Sequence, residues 1–280
     1  MISKYISLTG EEEDKRLELQ NRGLFYFDHD VYKRTFKQYP EPVILDIGCG
    51  TGRMIHTMLS DTQSYRLFGV DDVARQIELA QKTFPDGHFF NLDVESESFF
   101  GKLEEIMKDN EITGFDVVNC SMVILHLKDP VDILTRVRSI LSDNGTLIIR
   151  DIDDGIHFAW PDDEDLFKHF YDICARDARL GDRHCGRKLY HYLKKAGFRR
   201  VCLEKEGLST ADMDDKMLLY EMFVPNTLHY MEQRYHESPE NEQWKNDYFW
   251  FRDHIDKMKA AFEKEDFISS AGFISFTAKA

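Results

Sequence analysis

The sequence predicts an α/β fold: a doubly wound, mostly parallel sheet of seven strands with helices on both faces and an added helical cover. Three observations lead there. From Pro42 onward, short apolar runs alternate with longer amphipathic segments, which is how buried parallel strands joined by crossover helices read. The first run enters a turn holding three glycines and then a helical pattern. Late in the chain, the strand-free segment Ala211 to Asp266 interrupts the alternation before a last period-two run, and it is too long for an ordinary connection.

The elements follow in order. Val43 to Ile47, Arg66 to Val70, His88 to Leu92, Phe115 to Asn119 and Thr146 to Arg150 are five apolar runs of strand length. Helical patterns lie between them near Arg53 to Leu59, Ala74 to Phe84, Ser98 to Lys108 and Pro130 to Leu141. An acidic and aromatic stretch, Asp151 to Asp165, then leads into helices that stop at Ala196-Gly197, where glycine suits a C-terminal cap. Arg199 to Glu206 fits a sixth strand, and Gly272 to Ala278 alternates as a seventh. Ala211 to Asp266 reads as a helical hairpin broken near Ser238-Pro239. The expected division is an N-terminal helical region (1–41), a sheet core (42–210), a helical insertion (211–266) and the final strand (267–280).

At 280 residues, with 42% apolar and 13% aromatic residues, the chain supports one substantial core. Lys and Arg number 36 against 51 Asp and Glu, a formal charge of -15. Such a chain repels a phosphate backbone and an anionic membrane leaflet, so neither nucleic acid nor membrane is the expected partner. Cys49, Cys120, Cys174, Cys185 and Cys202 are scattered and form no C-x-x-C pair, which argues against a disulfide framework or zinc site and for the reducing cytoplasm. Met1 to Arg22 lacks the apolar run of a signal peptide, and no stretch approaches transmembrane length.

The most informative stretch is Val43-Ile44-Leu45-Asp46-Ile47-Gly48-Cys49-Gly50-Thr51-Gly52-Arg53. A dinucleotide fold wants a glycine where Arg53 stands, because a pyrophosphate there sits on the helix N-terminus. Glycines at 48, 50 and 52 still permit close backbone approach and positive φ, which suits a ligand without phosphates; the plainer alternative is a tight strand-to-helix turn. Past the next strand, Asp71 stands where a carboxylate can accept hydrogen bonds from both hydroxyls of a ribose. Asp72 is the alternative, or caps the following helix. Asp93, after the third strand, is placed to accept from an adenine amino group, or else caps the helix near Ser98.

In series, the glycine loop, Gly69-Val70-Asp71, Leu92-Asp93-Val94, and the run Phe115 to Pro130 closely resemble the class I, Rossmann-like, S-adenosylmethionine-dependent methyltransferase family. Leu141 to Leu147 resembles that family's turn into the fifth strand. The resemblance covers Pro42 to Arg150 and, more loosely, Arg183 to Phe198. It implies S-adenosylmethionine as donor, S-adenosylhomocysteine as product, and an antiparallel last strand. It also implies that the loop residues Asp46, Gly48, Cys49, Gly50 and Gly52, with Cys120, Ser121 and Met122, hold the donor's amino-acid end, and that Asp93 and Val94 contact its ring. The sequence departs from the family at Val73, where relatives often have serine, and at Leu125, where many have a first histidine before the second, here His126.

Methyl transfer from a sulfonium needs alignment and no acid on the leaving group, so the acceptor is not encoded in a shared catalytic residue. His126 is the candidate base, against a packing role. Asp151, Asp153 and Asp154 lie where ligand crevices open, with His157, Phe158 and Trp160 as candidate aromatic walls. No metal is expected, since hard cations need oxygens converging from several elements. Arg176, Arg179, Arg183, Arg187 and Lys188 fit either an anionic acceptor or pairing with Asp172, Asp177 and Asp182. The leading reading is methyl transfer to a small molecule; the alternatives are a protein or transfer RNA acceptor, or a non-catalytic donor-binding module. The insertion 211–266, with the N-terminal region, is expected either to cover the acceptor side or to form a homodimer interface.

Overall fold

The structure is a computed structural model that describes residues 11–176 and 181–280. The N-terminal helix α1 (Glu11–Phe36) precedes β1 (Val43–Ile47), α2 (Arg53–Met58), β2 (Arg66–Asp71), α3 (Ala74–Thr83), β3 (His88–Asn91), α4 (Phe99–Asp109), β4 (Phe115–Ser121), α5 (Pro130–Ser139) and β5 (Leu141–Ile152). Then come β6 (Phe158–Trp160), α6 (Leu166–Arg176), α7 (Leu189–Lys195), β7 (Arg199–Ser209), α8 (Met217–Glu237), α9 (Glu242–Glu263) and β8 (Ile268–Lys279).

All five expected parallel strands form, in the order β3-β2-β1-β4-β5, and β8 continues the sheet antiparallel to β5 with β7 antiparallel beyond it. The fold class read from the sequence is borne out, with one addition. The short strand β6 pairs with Ile268 to Ser270 of β8. Since β7 also pairs with Ser270, β6 occupies the opposite edge, the one that β5 uses further along, so eight strands fill seven positions. Three residues, two of them exposed, carry too little pattern to be read as a strand.

Alternation along the strands explains the double winding. Ile44, Leu67, Val117 and Ile148 point to one face, where Tyr32 and Phe36 of α1, Ile55 of α2 and Ile77 of α3 cover them. Their neighbours Leu45, Phe68, Val118, Leu147 and Ile149 point to the other, against Leu103 of α4, Leu134 of α5 and Leu189 of α7. A strand buried on both faces must be apolar at successive positions, and β1 is buried from Ile44 to Ile47.

Helix α1 is not straight. Asp28 breaks it with φ -145° and ψ 22°, and its carboxylate is fully buried on the equally buried Arg150 of β5. Arg150 Nε also donates to Ser121 Oγ at 2.6 Å. One turn on, Tyr32 OH donates to Asn119 Oδ1 at 2.7 Å, and Asn119 Nδ2 donates to Asp46 Oδ1 at 2.6 Å. Thus a buried polar chain ties the helix to β1, β4 and β5 at the end of the sheet where the glycine turn begins. Breaking one side of a buried ion pair strands the other charge, at a cost of about 3 to 5 kcal/mol, whereas apolar replacement of both partners is often neutral. Arg150→Met is therefore expected to lose about that much stability, and Arg150→Met with Asp28→Leu to regain much of it. Urea unfolding followed by circular dichroism measures both; equal stabilities for the two variants would contradict this account.

Candidate functional site

The C-terminal ends of β1 to β5 open into a cavity of about 700 Å³. The glycine turn forms one wall. Gly48 and Cys49 donate their N–H groups to Val70 O at 2.8 and 3.0 Å, which folds the turn back over β2. Gly48 takes φ +70°, and a Cβ there would stand 2.3 Å from Val123 Cγ2. Gly50 takes φ +52°, with a Cβ position 2.8 Å from Gln76 Oε1. Both positions need glycine for conformation and for space.

Asp71 closes the next corner. Its Oδ2 accepts from Gly50 N and its Oδ1 from Val73 N, each at 2.9 Å, so the carboxylate is oriented by backbone while each oxygen keeps a further lone pair. Burial raises its pKa, and the two N–H donors oppose that shift. Asp72 also lines the cavity; it does not cap α3, whose N-cap is Val73. Asp93 Oδ1 accepts from Glu95 N at 2.8 Å, a local turn, and α4 begins at a different cap, Ser98. Asp93 and Val94 both face the cavity.

Beyond β4, Ser121, Met122 and Val123 complete the floor. Met122 holds φ +59°, uncommon for a side chain of its kind and the sort of local cost that collects at functional sites. His126 follows in a single 3-10 turn, Ile124–His126. Burial, then the guanidinium groups of Arg183 and Arg16, push its pKa down to about 4.

Three residues expected at the ligand do not reach the cavity wall. Asp46 is buried behind the turn, Cys120 lies inside β4 between Ile47 and Ile149, and Gly52 is the residue before α2. Their positions inside strands or at a helix start face the sheet core, which motif position alone does not reveal. The aromatic wall is also corrected. Phe158 and Trp160 are 48% and 71% exposed on β6, and His157 stacks on Tyr171 with ring centroids 3.9 Å apart.

Other residues take that place. Arg16, Leu17, Gln20, Asn21 and Leu24 of α1 and Met222, Phe223, Asn226, Thr227 and Tyr230 of α8 line the cavity, with Phe273 of β8. The spacings 16/20/24 and 222/226/230 mark single helix faces, a signal present in the sequence once the two helices are known to face one space.

The basic cluster is paired internally, largely with partners from elsewhere in the chain. Arg183 forks onto Asp154 at 2.8 and 3.0 Å, Arg187 Nε reaches Asp153 at 2.8 Å, Arg176 reaches Asp247 at 2.9 Å, and Lys188 pairs with Asp182. Arg179 and Asp177 lie outside the described residues. The third aspartate, Asp151, is fully buried in β5 and accepts from Leu125 N at 3.0 Å. Among the described residues, no three His, Cys, Asp or Glu side chains gather as a metal site, and no helix is long and apolar enough to cross a membrane.

Residues 40–247, about three quarters of the chain, match the protein family described as "Methyltransferase domain". The chain belongs to that methyltransferase-domain family. It is 28% identical over 122 residues to malonyl-[acyl-carrier protein] O-methyltransferase of Halalkalibacterium halodurans, a match that covers 42% of this chain and 42% of that protein. The chain thus spans about two fifths of the length of this curated relative. Among solved structures it is similar to the YcgJ protein of Bacillus subtilis, with 14% identity, TM-score 0.51, and coverage of 90% of this chain and 98% of that one. It is also similar to the plantazolicin methyltransferase BpumL in complex with S-adenosylhomocysteine, with 14% identity, TM-score 0.50, and coverage of 97% and 91%. These likenesses show the same fold.

Within this methyltransferase domain, Asp46 is expected to couple stability to pH. Burial pushes its carboxyl up to about 7 from an ordinary 3.8, against the pull of the Asn119 hydrogen bond and Arg150. A carboxyl with a raised folded pKa holds its proton more tightly when folded, so its contribution to stability falls as pH rises from about 4 through about 7. Asp46→Asn keeps an acceptor for Asn119 and removes the titration. The variant is expected to gain on the wild type by a few kcal/mol, on the order of the shift, between pH 4.5 and pH 8. Denaturant melts across that range test it, and parallel pH profiles for the two proteins would refute it.

Proposed function

We propose that this protein transfers the methyl group of S-adenosylmethionine to a small-molecule acceptor. The observation that carries the reading is one continuous cavity: the glycine turn, Asp71 and Asp93 line one part of it, and α1 and α8 roof the other. The donor supplies an electrophilic methyl on a sulfonium sulfur. The chain's residues suit it. Asp71 presents oriented carboxylate oxygens to the ribose hydroxyls, Asp93 and Val94 stand by the ring, and the Gly48 to Gly50 backbone with Ser121 and Met122 bounds the amino-acid end. Asp46, Gly52 and Cys120 act from behind, by holding that wall in place.

In transfer the sulfur–methyl bond breaks as the acceptor–methyl bond forms, and the sulfur leaves neutral. No side chain has to protonate it. Alignment by the walls is the main contribution. His126 is uncharged at neutral pH, given a pKa of about 4, so it can accept a proton from an acceptor that loses one readily but is a weak base for a basic amine. The proposed division assigns 42–210 and 267–280 to the donor-binding core and 1–41 with 211–266 to the cover, with 1–10 and 177–180 outside the described residues. In support, the aromatic residues of α9 pack within the chain: Trp250 lies against His169 and His254, and Tyr248 stacks on Tyr235. The cover bounds a space of about 700 Å³ suited to a small metabolite in the cytoplasm, and neither a folded protein nor nucleic acid is the proposed acceptor.

Two measurements test this. Asp71→Ala is expected to weaken S-adenosylmethionine and S-adenosylhomocysteine binding by about 2 kcal/mol or more in calorimetry, because charge-assisted hydrogen bonds are lost. Unchanged affinity in a folded variant, or preference for a nicotinamide dinucleotide, removes the donor assignment. Second, with labelled donor, label is expected in a small-metabolite pool and not in RNA or protein. Phe223→Ala is then expected to cut transfer at least tenfold while donor affinity holds, since α8 borders the acceptor and not the donor; matched losses in both would show that α8 serves the donor site.

A further inference from the structure

The cavity is divided electrostatically along the sheet. Its four carboxylates, Asp71, Asp72, Asp93 and Glu95, all stand at or just beyond the ends of β2 and β3. Of its guanidinium groups, Arg183 is tied to the segment after β5, and Arg16 stands on α1, whose Asp14 reaches Arg75 of α3. The order β3-β2-β1-β4-β5 puts four strand steps between β3 and β5, roughly 19 Å at about 4.8 Å per step. The remaining cation, Lys102 of α4, sits with Ser98 and Phe99 on the carboxylate side.

Arg183 is built in rather than trailing on the surface. Its Nε and Nη2 fork onto Asp154, Asp154 N donates to Arg183 O at 2.8 Å, and the two side chains are only 12% and 1% exposed. The remaining nitrogen, Nη1, has no hydrogen-bond acceptor among the described residues, although Arg183 lines the cavity. A guanidinium has five donors in a fixed plane, so one edge is spent on Asp154 while Nη1 remains for a ligand. Arg16 comes from the facing helix, hydrogen-bonded to Gln20 at 2.9 Å. Both guanidinium groups line the cavity that His126 also lines, and both favour its neutral ring. Leu24, Phe223 and Phe273 supply apolar wall on this side.

We infer that the methyl acceptor is an anionic small molecule, whose carboxylate or phosphate is held by Arg183 and Arg16 and whose apolar body lies against Leu24, Phe223 and Phe273. The inference rests on the methyl-transfer reading above. Arg183, on the side of the cavity away from the carboxylates, orients such a molecule together with Arg16, because a buried anion is costly away from paired donors and charge-assisted hydrogen bonds to arginine are directional. A structural arginine needed only to neutralise Asp154 would give no preference for anions.

The test uses the full chain saturated with S-adenosylhomocysteine, titrated by calorimetry with phenylacetate, phenyl phosphate, neutral phenylacetamide and cationic phenethylamine. One of the two anions is expected to bind at least tenfold tighter than phenylacetamide, and which of them does so identifies carboxylate or phosphate. Arg183→Lys, which keeps a cation beside Asp154, and Arg16→Gln, which leaves the Arg183–Asp154 pair untouched, are each expected to lower that preference fivefold or more while S-adenosylhomocysteine affinity stays within twofold. Should Arg183→Lys fail to fold, Arg16→Gln still decides. Equal behaviour of all four probes, tightest binding of phenethylamine, or an anion preference indifferent to both substitutions overturns the inference. Failure of S-adenosylhomocysteine to bind in the first titration instead overturns the donor reading, and the two failures are thereby separate.

Discussion

The buried pair between Arg150 and Asp28 is the interaction on which the site's architecture turns. A guanidinium with no exposed surface at the centre of a sheet must find a carboxylate, and Asp28 supplies it at the point where α1 leaves helical geometry. That break separates two jobs within α1. Downstream of it, Val31, Tyr32 and Phe36 pack into the sheet; upstream, Arg16, Gln20 and Asn21 look into the cavity. Arg150 also fixes Ser121 through its Nε, accepts Met122 N on its backbone carbonyl at 3.0 Å, and lies 5.4 Å from the Tyr32 ring. Cover and floor of the cavity therefore share one buried anchor, which makes the N-terminal helix part of the site rather than an appendage.

Much of this was legible in the sequence because it depends on short-range constraints. A strand buried on both faces is apolar at most positions, and the glycine turn must admit positive φ beside Val123 and Gln76; both leave marks at fixed positions. What depends on approach between distant segments left weaker marks. Phe158 and Trp160 looked like pocket walls because they follow the fifth strand, yet β6 runs along the edge of β8 and turns them to solvent. The acidic run at 151–154 and the basic run at 176–188 each suggested a ligand when read alone. In space Asp153 and Asp154 meet Arg187 and Arg183, and most of their charge is spent on one another. Nearness in sequence points to Asp172, Asp177 and Asp182; Asp182 does pair with Lys188, whereas Arg176, Arg183 and Arg187 find partners that only the fold brings close.

The same geometry constrains His126. Its place after β4 suits a base, but burial beside two guanidinium groups stabilises the neutral ring. A neutral histidine offers one donor and one acceptor nitrogen, so it can orient an acceptor as readily as deprotonate it. For a methyl donor that activates itself through its sulfonium charge, orientation is what the protein has left to provide. The residue's electrostatic setting and the chemistry thus point the same way.

A chain with formal charge -15 that houses arginines in its cavity poses a question of range. At physiological ionic strength, interactions between exposed charges fade beyond about 8 Å, so charges on the far surface have little reach to the cavity mouth. The field does favour approach of a cation, which the donor's sulfonium is, and disfavours slow accumulation of anions at the surface. Inside, contact terms take over: a fixed guanidinium edge within hydrogen-bond distance outweighs a screened surface potential, because the Arg183 side chain is only 12% exposed. The acidic exterior and the cationic wall therefore do not conflict. On the proposed anionic-acceptor reading, one biases which molecules arrive, and the other selects among those that have entered by the geometry of their charged group.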